Sequence, residues 1–187
     1  MKEFDYIIIG TGQAGTPLAF SLAKKGKVAI IEKSVVGGTC VNNGCVPTKA
    51  YVASARRMWD SNHGEDLGIE IPVGSKANLE KIKARKETFV HASRNGIEKS
   101  FADNENITLY RAEAYFVSDY EIMVNEEKIT AKQIFINVGA RAVVPEEYKS
   151  IDYLTNISIL ELTSIPKHLV IVGGSYIGLE FGQMFKR

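Results

Sequence analysis

A glycine-rich turn between an apolar run and a helical pattern constrains the fold of this chain more than any other feature. The run Tyr6–Ile9 leads into Gly10, Gly12 and Gly15, and a second apolar run covers Val28–Ile31. At this spacing the first glycine permits a tight turn, the second lets the backbone approach a pyrophosphate, and the third allows the helix to pack closely on the strand. The pattern predicts a β-α-β nucleotide-binding unit, and therefore an α/β fold with a parallel central sheet.

The residues around this turn indicate which nucleotide it binds. The backbone N–H groups of Gln13 and Ala14 would lie at the helix N-terminus, where the helix dipole favours anionic phosphate. Glu32, at the end of the second strand, is placed to accept hydrogen bonds from a ribose diol, and its charge would repel a 2′-phosphate. We therefore expect FAD or NAD rather than NADP here. The alternative is a glycine turn without a ligand.

Helical and strand patterns alternate through the middle of the chain. A second helix is predicted from the cysteine segment through Trp59, a loop over Asp60–Ser75, and a long helix between Leu79 and Ile97. Short strands are predicted over Ile107–Arg111, Ala114–Val117, Ile122–Val124 and Ile134–Val138. These strands would add a small antiparallel element to the parallel sheet.

A second strand–turn–helix signal closes the sequence after an irregular stretch over Pro145–Pro166. A strand is predicted over His168–Val172, followed by a glycine-rich turn over Gly173–Gly178 and a helix that reaches Arg187. This is the start of a second nucleotide-binding unit.

The two cysteines of the chain, Cys40 and Cys45, lie five residues apart. A metal site would need further cysteines or histidines at matching spacing, so no metal site is predicted. In an undistorted helix their Cα atoms would be roughly 8.5 Å apart, beyond the limit of roughly 7 Å for a disulfide. Gly44 and Pro47 allow a helix to distort or begin late, which makes a labile, reducible disulfide plausible. The alternative is a pair of buried thiols without redox function.

The net charge and hydropathy of this chain of 187 residues limit the kinds of partner and the cellular location that we expect for it. A formal net charge of +1 argues against nucleic acid as the main partner. The sequence contains no apolar run long enough for a membrane span, and the run Tyr6–Ile9 is too short for a signal-peptide core. A cytoplasmic location is therefore expected, where a closely spaced cysteine pair is more often catalytic or redox-sensing than structural.

Together, the glycine fingerprint, Glu32 and the segment from Gly38 to Lys49 resemble the class I flavin disulfide reductases. That family includes glutathione reductase, dihydrolipoamide dehydrogenase and mercuric reductase, and the stretches Gly12–Ala19 and Val46–Lys49 most resemble the mercuric-reductase-like branch. The resemblance implies a Rossmann-like FAD-binding domain, with the chain covering only the N-terminal part of such an enzyme.

The resemblance also implies roles for residues around the flavin. Thr39 would lie near the pyrophosphate and the backbone of Ala114 near the adenine. Gly139 closes an Asn-Val-Gly segment where the family has Ala-Thr-Gly. Cys45 would face the flavin as the charge-transfer thiol, and Cys40 would be the interchange thiol that meets the substrate. A helix N-terminus and a nearby lysine can lower a thiol pKa for this purpose.

Lys49 resembles the family lysine beside the flavin N5 atom. The alternative interpretation is that it is an ordinary surface lysine. The second fingerprint, with its Gly173, Ser175 and Gly178, resembles the nicotinamide-nucleotide motif, with serine where the middle glycine usually stands. Tyr176 would shield the flavin and Glu180 would pair with the lysine. Both could equally be ordinary helix residues.

These resemblances predict an incomplete FAD-binding domain over residues 1–150 and the start of an NAD(P)-binding domain over residues 151–187.

Two hypotheses for the function of the chain follow from this organisation. The first is the N-terminal part of a homodimeric reductase that passes electrons from NAD or NADP through FAD and the cysteine pair to a small disulfide or a metal-ion substrate. Its catalytic histidine would come from a segment that this sequence does not contain. The second is a catalytically inert nucleotide-binding fragment. A flavin monooxygenase is a weaker third reading, which the cysteine segment argues against.

Overall fold

The structure is a computed structural model that describes residues 1–70 and 74–187. Residues 71–73, within the predicted loop over Asp60–Ser75, lie outside the described residues. The strands are β1 (Lys2–Ile9), β2 (Val28–Ile31), β3 (Ile107–Tyr110), β4 (Ala114–Phe116), β5 (Glu121–Val124) and β6 (Glu127–Ile136). The α-helices are α1 (Gly15–Ala23), α2 (Gly38–Asn42), α3 (Cys45–Asn62), α4 (Leu79–Ala102) and α5 (Tyr176–Lys186). Short 3₁₀ turns cover Glu65–Leu67, Glu146–Tyr148 and Ser158–Glu161.

Six strands form one mixed sheet in the order β3-β2-β1-β6-β5-β4. β1 pairs in parallel with β2 on one side and with β6 on the other, and β2 pairs in parallel with β3. β5 pairs antiparallel with both β4 and β6. The predicted α/β class is confirmed, with a parallel centre and a small antiparallel addition.

The chain divides into two compact units. The first contains residues Met1–Asn42 and His91–Arg141, and the second contains Asn43–Val90 and Ala142–Arg187. The domain limits expected from the sequence, 1–150 and 151–187, stay a prediction.

In the first unit the sheet has an apolar core on each face. Ile7 and Ala29 face one cluster, while Ile8 and Ile30 face the other, together with the inward side of α1. All four residues of β2 are buried, as expected for a strand that is covered on both faces. This packing fixes β1 and β2, and with them the loops that leave their carboxyl ends.

In the second unit an apolar cluster surrounds Tyr51, whose hydroxyl donates a hydrogen bond to the carbonyl of Leu160 at 3.0 Å. Lys86 is buried and forms ion pairs with Glu87 at 2.6 Å and Glu161 at 2.9 Å. Burial alone would lower the pKa of Lys86, but the hydrogen bonds and charges of the two glutamates raise it above its ordinary value. The ammonium group therefore stays charged inside this unit.

The strand predicted over residues 168–172 is not formed. Within the described parts of the chain this run pairs with no other strand, and Val170 and Val172 are 73% and 66% exposed. A strand needs a neighbour to satisfy its backbone N–H and C=O groups, so β-branched side chains alone cannot form one. The helix predicted after it, α5, is present.

Strand boundaries also differ from the expected ones. β6 was expected over Ile134–Val138 but extends from Glu127 to Ile136, because it pairs with β5 through its first half and with β1 along most of its length. The polar residues at its start do not show the apolar alternation from which the strand was predicted.

Candidate functional site

The first glycine turn joins β1 to α1 and is closely packed. Gly10 has φ +105°, and a Cβ atom there would collide with the carbonyl oxygen of Asn137. A Cβ atom on Gly15 would collide with the carbonyl oxygen of Gly10. Ala14 occupies the cap position of α1, and its side chain cannot accept a hydrogen bond. The first N–H groups of α1 are therefore oriented toward the turn without a side-chain cap.

Thr11, within this turn, is a site residue that the sequence analysis missed. It is fully buried, and its hydroxyl donates to Glu32 Oε2 at 2.7 Å and accepts from the Gly37 N–H at 3.1 Å. Its backbone N–H also donates to Glu32 Oε2, at 3.2 Å, and its carbonyl accepts from the Thr16 hydroxyl at 2.7 Å. A hydroxyl residue between two turn glycines, followed by an acid after the next strand, is the signal that could have identified it.

Glu32 is held in place on both sides of its carboxylate. Besides the two bonds from Thr11, its Oε1 accepts the N–H of Ser34 at 3.0 Å, and its own N–H donates to the carbonyl of Tyr110 at 2.9 Å. A carboxylate offers about four acceptor positions, so three bonds leave about one for a ribose hydroxyl. The group is half-buried and oriented before any ligand arrives.

A second pair of glycines packs against the turn. Gly38 has φ +59°, and a Cβ atom there would lie 2.6 Å from the Cα of Gly12. Any larger residue at Gly38 would therefore displace the backbone of the turn. The pair of close backbones, with the uncapped helix start beside it, is the kind of cradle that suits the pyrophosphate of a dinucleotide. Thr39, the next residue, is exposed in α2.

The two cysteines lie in different helices. Cys40 is partly exposed within α2, and Cys45 is exposed at the first position of α3. Gly44 separates the helices with non-helical angles, φ −132° and ψ −115°. The helix interruption that the sequence led us to expect near Gly44 is present.

Asn42 holds the end of α2 and is a second residue that the sequence analysis missed. Its Nδ2 donates to the carbonyls of Val36 at 3.0 Å and Gly38 at 2.8 Å. Its Oδ1 accepts a hydrogen bond from the guanidinium of Arg94. No sequence signal pointed to this partner, because Arg94 lies 52 positions away in α4.

In the second unit the structure brings Lys49 of α3 and Glu180 of α5 together as an ion pair. The Lys49 side chain is 68% exposed and that of Glu180 is 27% exposed. Tyr176, the first residue of α5, is 77% exposed. The side chain of Tyr176 is therefore open to solvent or to a ligand.

The second glycine turn is also formed. Gly173 has φ +102°, and a Cβ atom on Gly178 would lie 2.8 Å from the carbonyl oxygen of Gly173. Ser175 takes the cap position of α5 in an extended conformation.

Two further predicted site residues lie in the first unit. Ala114 is the first residue of β4 and pairs with Val124. The preceding Glu113 forms an exposed ion pair with Lys33 at 3.1 Å. Gly139 is exposed after β6 with φ +72°. The glycine turn, Thr11, Glu32 and Gly38 therefore form one connected site.

Comparison with known proteins identifies the family. The family model described as pyridine nucleotide-disulphide oxidoreductase matches residues 4–187. The chain belongs to this family. Its members depend on FAD and take electrons from NAD(P)H.

No helix in residues 1–70 and 74–187 is long and apolar enough to cross a membrane.

Relatives in this family include enzymes with different substrates. The chain is 36% identical over 186 residues to mercuric reductase of Lysinibacillus sphaericus, covering 98% of this chain and 34% of the relative. It is 35% identical over 191 residues to dihydrolipoyl dehydrogenase of Acholeplasma laidlawii, covering 98% and 56%. The structure of the HOCl-induced flavoprotein disulfide reductase RclA from Escherichia coli matches with TM-score 0.81 at 35% identity, over 97% of this chain and 39% of that one. The chain thus spans between about a third and somewhat over half of these relatives.

Proposed function

We propose that this chain is the FAD-binding, cysteine-bearing region of a flavin disulfide reductase. The observation that supports the proposal is the hydrogen-bond network of Thr11 with Glu32 and Gly37, which orients the Glu32 carboxylate beside a glycine turn whose helix has no side-chain cap. Family membership makes FAD the dinucleotide expected there. The same network leads directly into α2, which carries Cys40.

Each part of the dinucleotide would be held by different atoms. The N–H groups of Gln13 and Ala14 would bind the pyrophosphate at the start of α1, because Gly10, Gly12 and Gly15 leave the backbone accessible. Glu32 would accept a ribose hydroxyl at its remaining acceptor position. Further contacts are proposed for the residues that the family resemblance indicates in the first unit, namely Thr39, Ala114 and Gly139.

When bound, FAD would supply two-electron redox chemistry between a nicotinamide nucleotide and the cysteine pair. Cys45 would be the thiol nearer the flavin, where Lys49, paired with Glu180, would supply a positive charge. Tyr176, exposed at the start of α5, would shield the flavin. Gly173, Ser175 and Gly178 would belong to the NAD or NADP site of the whole protein.

Reduction of a disulfide substrate would proceed by thiol exchange on the two cysteines. The Cys40 thiolate attacks one substrate sulfur, forms a mixed disulfide and releases the other sulfur as a thiolate. Cys45 then attacks the Cys40 sulfur, releases the second substrate thiolate and closes the Cys40–Cys45 bond. Two electrons leave the protein, and the disulfide must be reduced again before the next turnover. For a metal-ion substrate, the same two thiols would provide the ligands.

A second candidate is a nucleotide-binding fragment without catalytic activity. It is favoured by the run over residues 168–172, which pairs with no strand in the described parts of the chain. Under the first candidate, the whole protein would be a homodimer. Its catalytic histidine would come from a segment that this sequence does not contain.

A titration with FAD, followed by mild reduction, separates the two candidates. We expect the purified chain to quench flavin fluorescence and to acquire a bound flavin spectrum, while a Gly12→Val variant, which fills the turn, does not. Cys45→Ser should keep FAD bound but change the flavin spectrum after mild reduction, since the adjacent thiolate is lost. If the chain binds no FAD, or binds it with a spectrum that Cys45→Ser leaves unchanged after mild reduction, the inert-fragment candidate describes this chain.

A further inference from the structure

Asn137 has a backbone that is locked against the first glycine turn. It follows β6 directly, and its N–H donates to the carbonyl of Ile9 at 2.8 Å. Its own carbonyl oxygen occupies the space where a Cβ atom on Gly10 would lie. The backbone of Asn137 therefore holds its side chain beside the turn that would bind the pyrophosphate.

The side-chain amide of Asn137 is buried without a partner. Its Nδ2 atom is inaccessible to solvent, and no group in the described parts of the chain accepts a hydrogen bond from it. A buried donor that makes no hydrogen bond is unfavourable, and native proteins pair nearly all such groups. An unpaired amide at this place therefore indicates an acceptor that the polypeptide itself does not supply.

The position in the sheet points to a ligand as the source of that acceptor. β1 lies between β2 and β6, all three run parallel, and their carboxyl ends share one edge. Open α/β sheets bind their ligands in the crevice outside this edge, where connections leave a strand in opposite directions. Asn137 and Gly10 follow the two neighbouring strands at that edge.

We propose that Asn137 is a dinucleotide-binding residue whose Nδ2 donates a hydrogen bond to an oxygen of the bound cofactor. The inference rests on the proposed function, because it takes FAD as the ligand of the turn. Alanine, which the family segment carries at this position, offers no side-chain donor, so this contact would be particular to chains with asparagine here. A buried water is the competing partner, since it would satisfy the amide in the absence of any ligand.

Two variants test the proposal. Asn137→Ala removes the amide, and Asn137→Asp keeps its shape while replacing the donor with a negatively charged acceptor. Val138→Ala is the matched control, because Val138 is the adjacent residue and is 70% exposed. The dissociation constant for FAD is measured by flavin fluorescence, and the thermal midpoint is measured on the ligand-free proteins.

We expect Asn137→Ala to bind FAD about tenfold more weakly, Asn137→Asp more weakly still, and Val138→Ala like the unmodified chain. The ligand-free midpoint of Asn137→Ala should stay the same or rise, because an unpaired buried donor has been removed. Unchanged FAD affinity in either Asn137 variant would overturn the inference. With an unchanged thermal midpoint, the amide would be bonded to a buried water; with a lower midpoint, it would contribute to the stability of the fold. If the unmodified chain itself bound no FAD, the proposed function would fail first, and this inference with it.

Discussion

The two glycine turns of the chain have the same local geometry and different surroundings. Gly10 and Gly173 have φ angles of +105° and +102°, and in each turn the glycine five positions on packs against the carbonyl oxygen of the first. β1, which precedes the first turn, is paired on both sides. The run before the second turn forms no strand in the described chain. The turn is therefore encoded by its own residues, whereas the strand depends on neighbours.

Their tertiary contacts differ in the same way. The first turn is held by Thr11, which binds Glu32 and Gly37, and by the backbone of Asn137. Around Gly173, apart from its two neighbours in sequence, no described residue places an atom within 4 Å of where a Cβ would lie. We infer that these contacts stabilise the first turn beyond its local geometry, whereas the second turn depends mainly on the backbone freedom of glycine.

Replacing the first glycine of each turn by alanine gives the largest expected effect. Gly10→Ala should lower the free energy of unfolding by about 3 kcal/mol or more, because it combines a positive φ with a collision against backbone. Gly173→Ala should cost only about 1–2 kcal/mol, since the conformation is its only penalty. Urea unfolding of both variants measures the difference. Equal losses would mean that the two surroundings do not matter.

Removing the hydroxyl in the first turn should have the next largest effect. Thr11→Val keeps the shape but leaves the buried Gly37 N–H without its acceptor, which should cost about 2 kcal/mol, and Thr11→Ser should recover most of it. Gly174→Ala, at the equivalent position of the second turn, is the control and should change stability by less than about 0.5 kcal/mol. A stable Thr11→Val protein would contradict the role given to this network.

A buried tyrosine makes the surroundings of the first turn sensitive to alkaline pH. Burial, followed by the charge of Glu127 and its hydrogen bond, raises the pKa of Tyr110 from 10.0 to about 12. The folded state therefore holds this proton more tightly than the unfolded chain. The resulting stability is complete below pH 10 and is lost as the pH rises toward 12, by about 1 kcal/mol at pH 11.

Urea unfolding at pH 9 and pH 11 tests this sign. Tyr110→Phe should lose less stability between the two pH values than the unmodified chain. Tyr115→Phe, at a residue that is 59% exposed, should behave like the unmodified chain. The same pH dependence in all three proteins would assign the loss to other groups.

The smallest effect is expected at the ion pair between α3 and α5, which follows the second turn. Lys49→Met should change the free energy of unfolding by less than about 0.5 kcal/mol, because the lysine is largely exposed and salt screens such pairs. A double-mutant cycle with Glu180→Gln, at low and high salt, measures the coupling. A coupling well above 1 kcal/mol would show that this pair organises the start of α5.

The sequence predicted well those features that depend on local pattern. The strands β1 and β2, the helices α1 and α4 and both glycine turns could be placed because apolar spacing and turn residues act over a few positions. The helix interruption at Gly44 was predicted for the same reason. The resemblance to flavin disulfide reductases, based on the glycine and cysteine segments, was confirmed by the family match.

Features that depend on distant partners could not be predicted. Thr11 binds Glu32 across 21 positions, and although Glu32 was predicted as a site residue, this bond to it was not. Asn42 binds Arg94 across 52 positions, and no sequence signal marks that partner. The run over residues 168–172 has strand-forming residues, but its pairing depends on a neighbour that the pattern does not reveal. The predicted roles of the cysteines, Lys49 and Tyr176 still depend on experiment.

The four residues between the two cysteines, 41–44, should not all tolerate substitution equally. Val41 is buried, and the Asn42 side chain is bonded to two carbonyls and to Arg94. Asn43 and Gly44 lie outside both helices. Protein engineering or natural variation that adjusts the loop between the thiols therefore has room at Asn43, while packing and hydrogen bonds constrain Val41 and Asn42, and the angles that separate the two helices constrain Gly44.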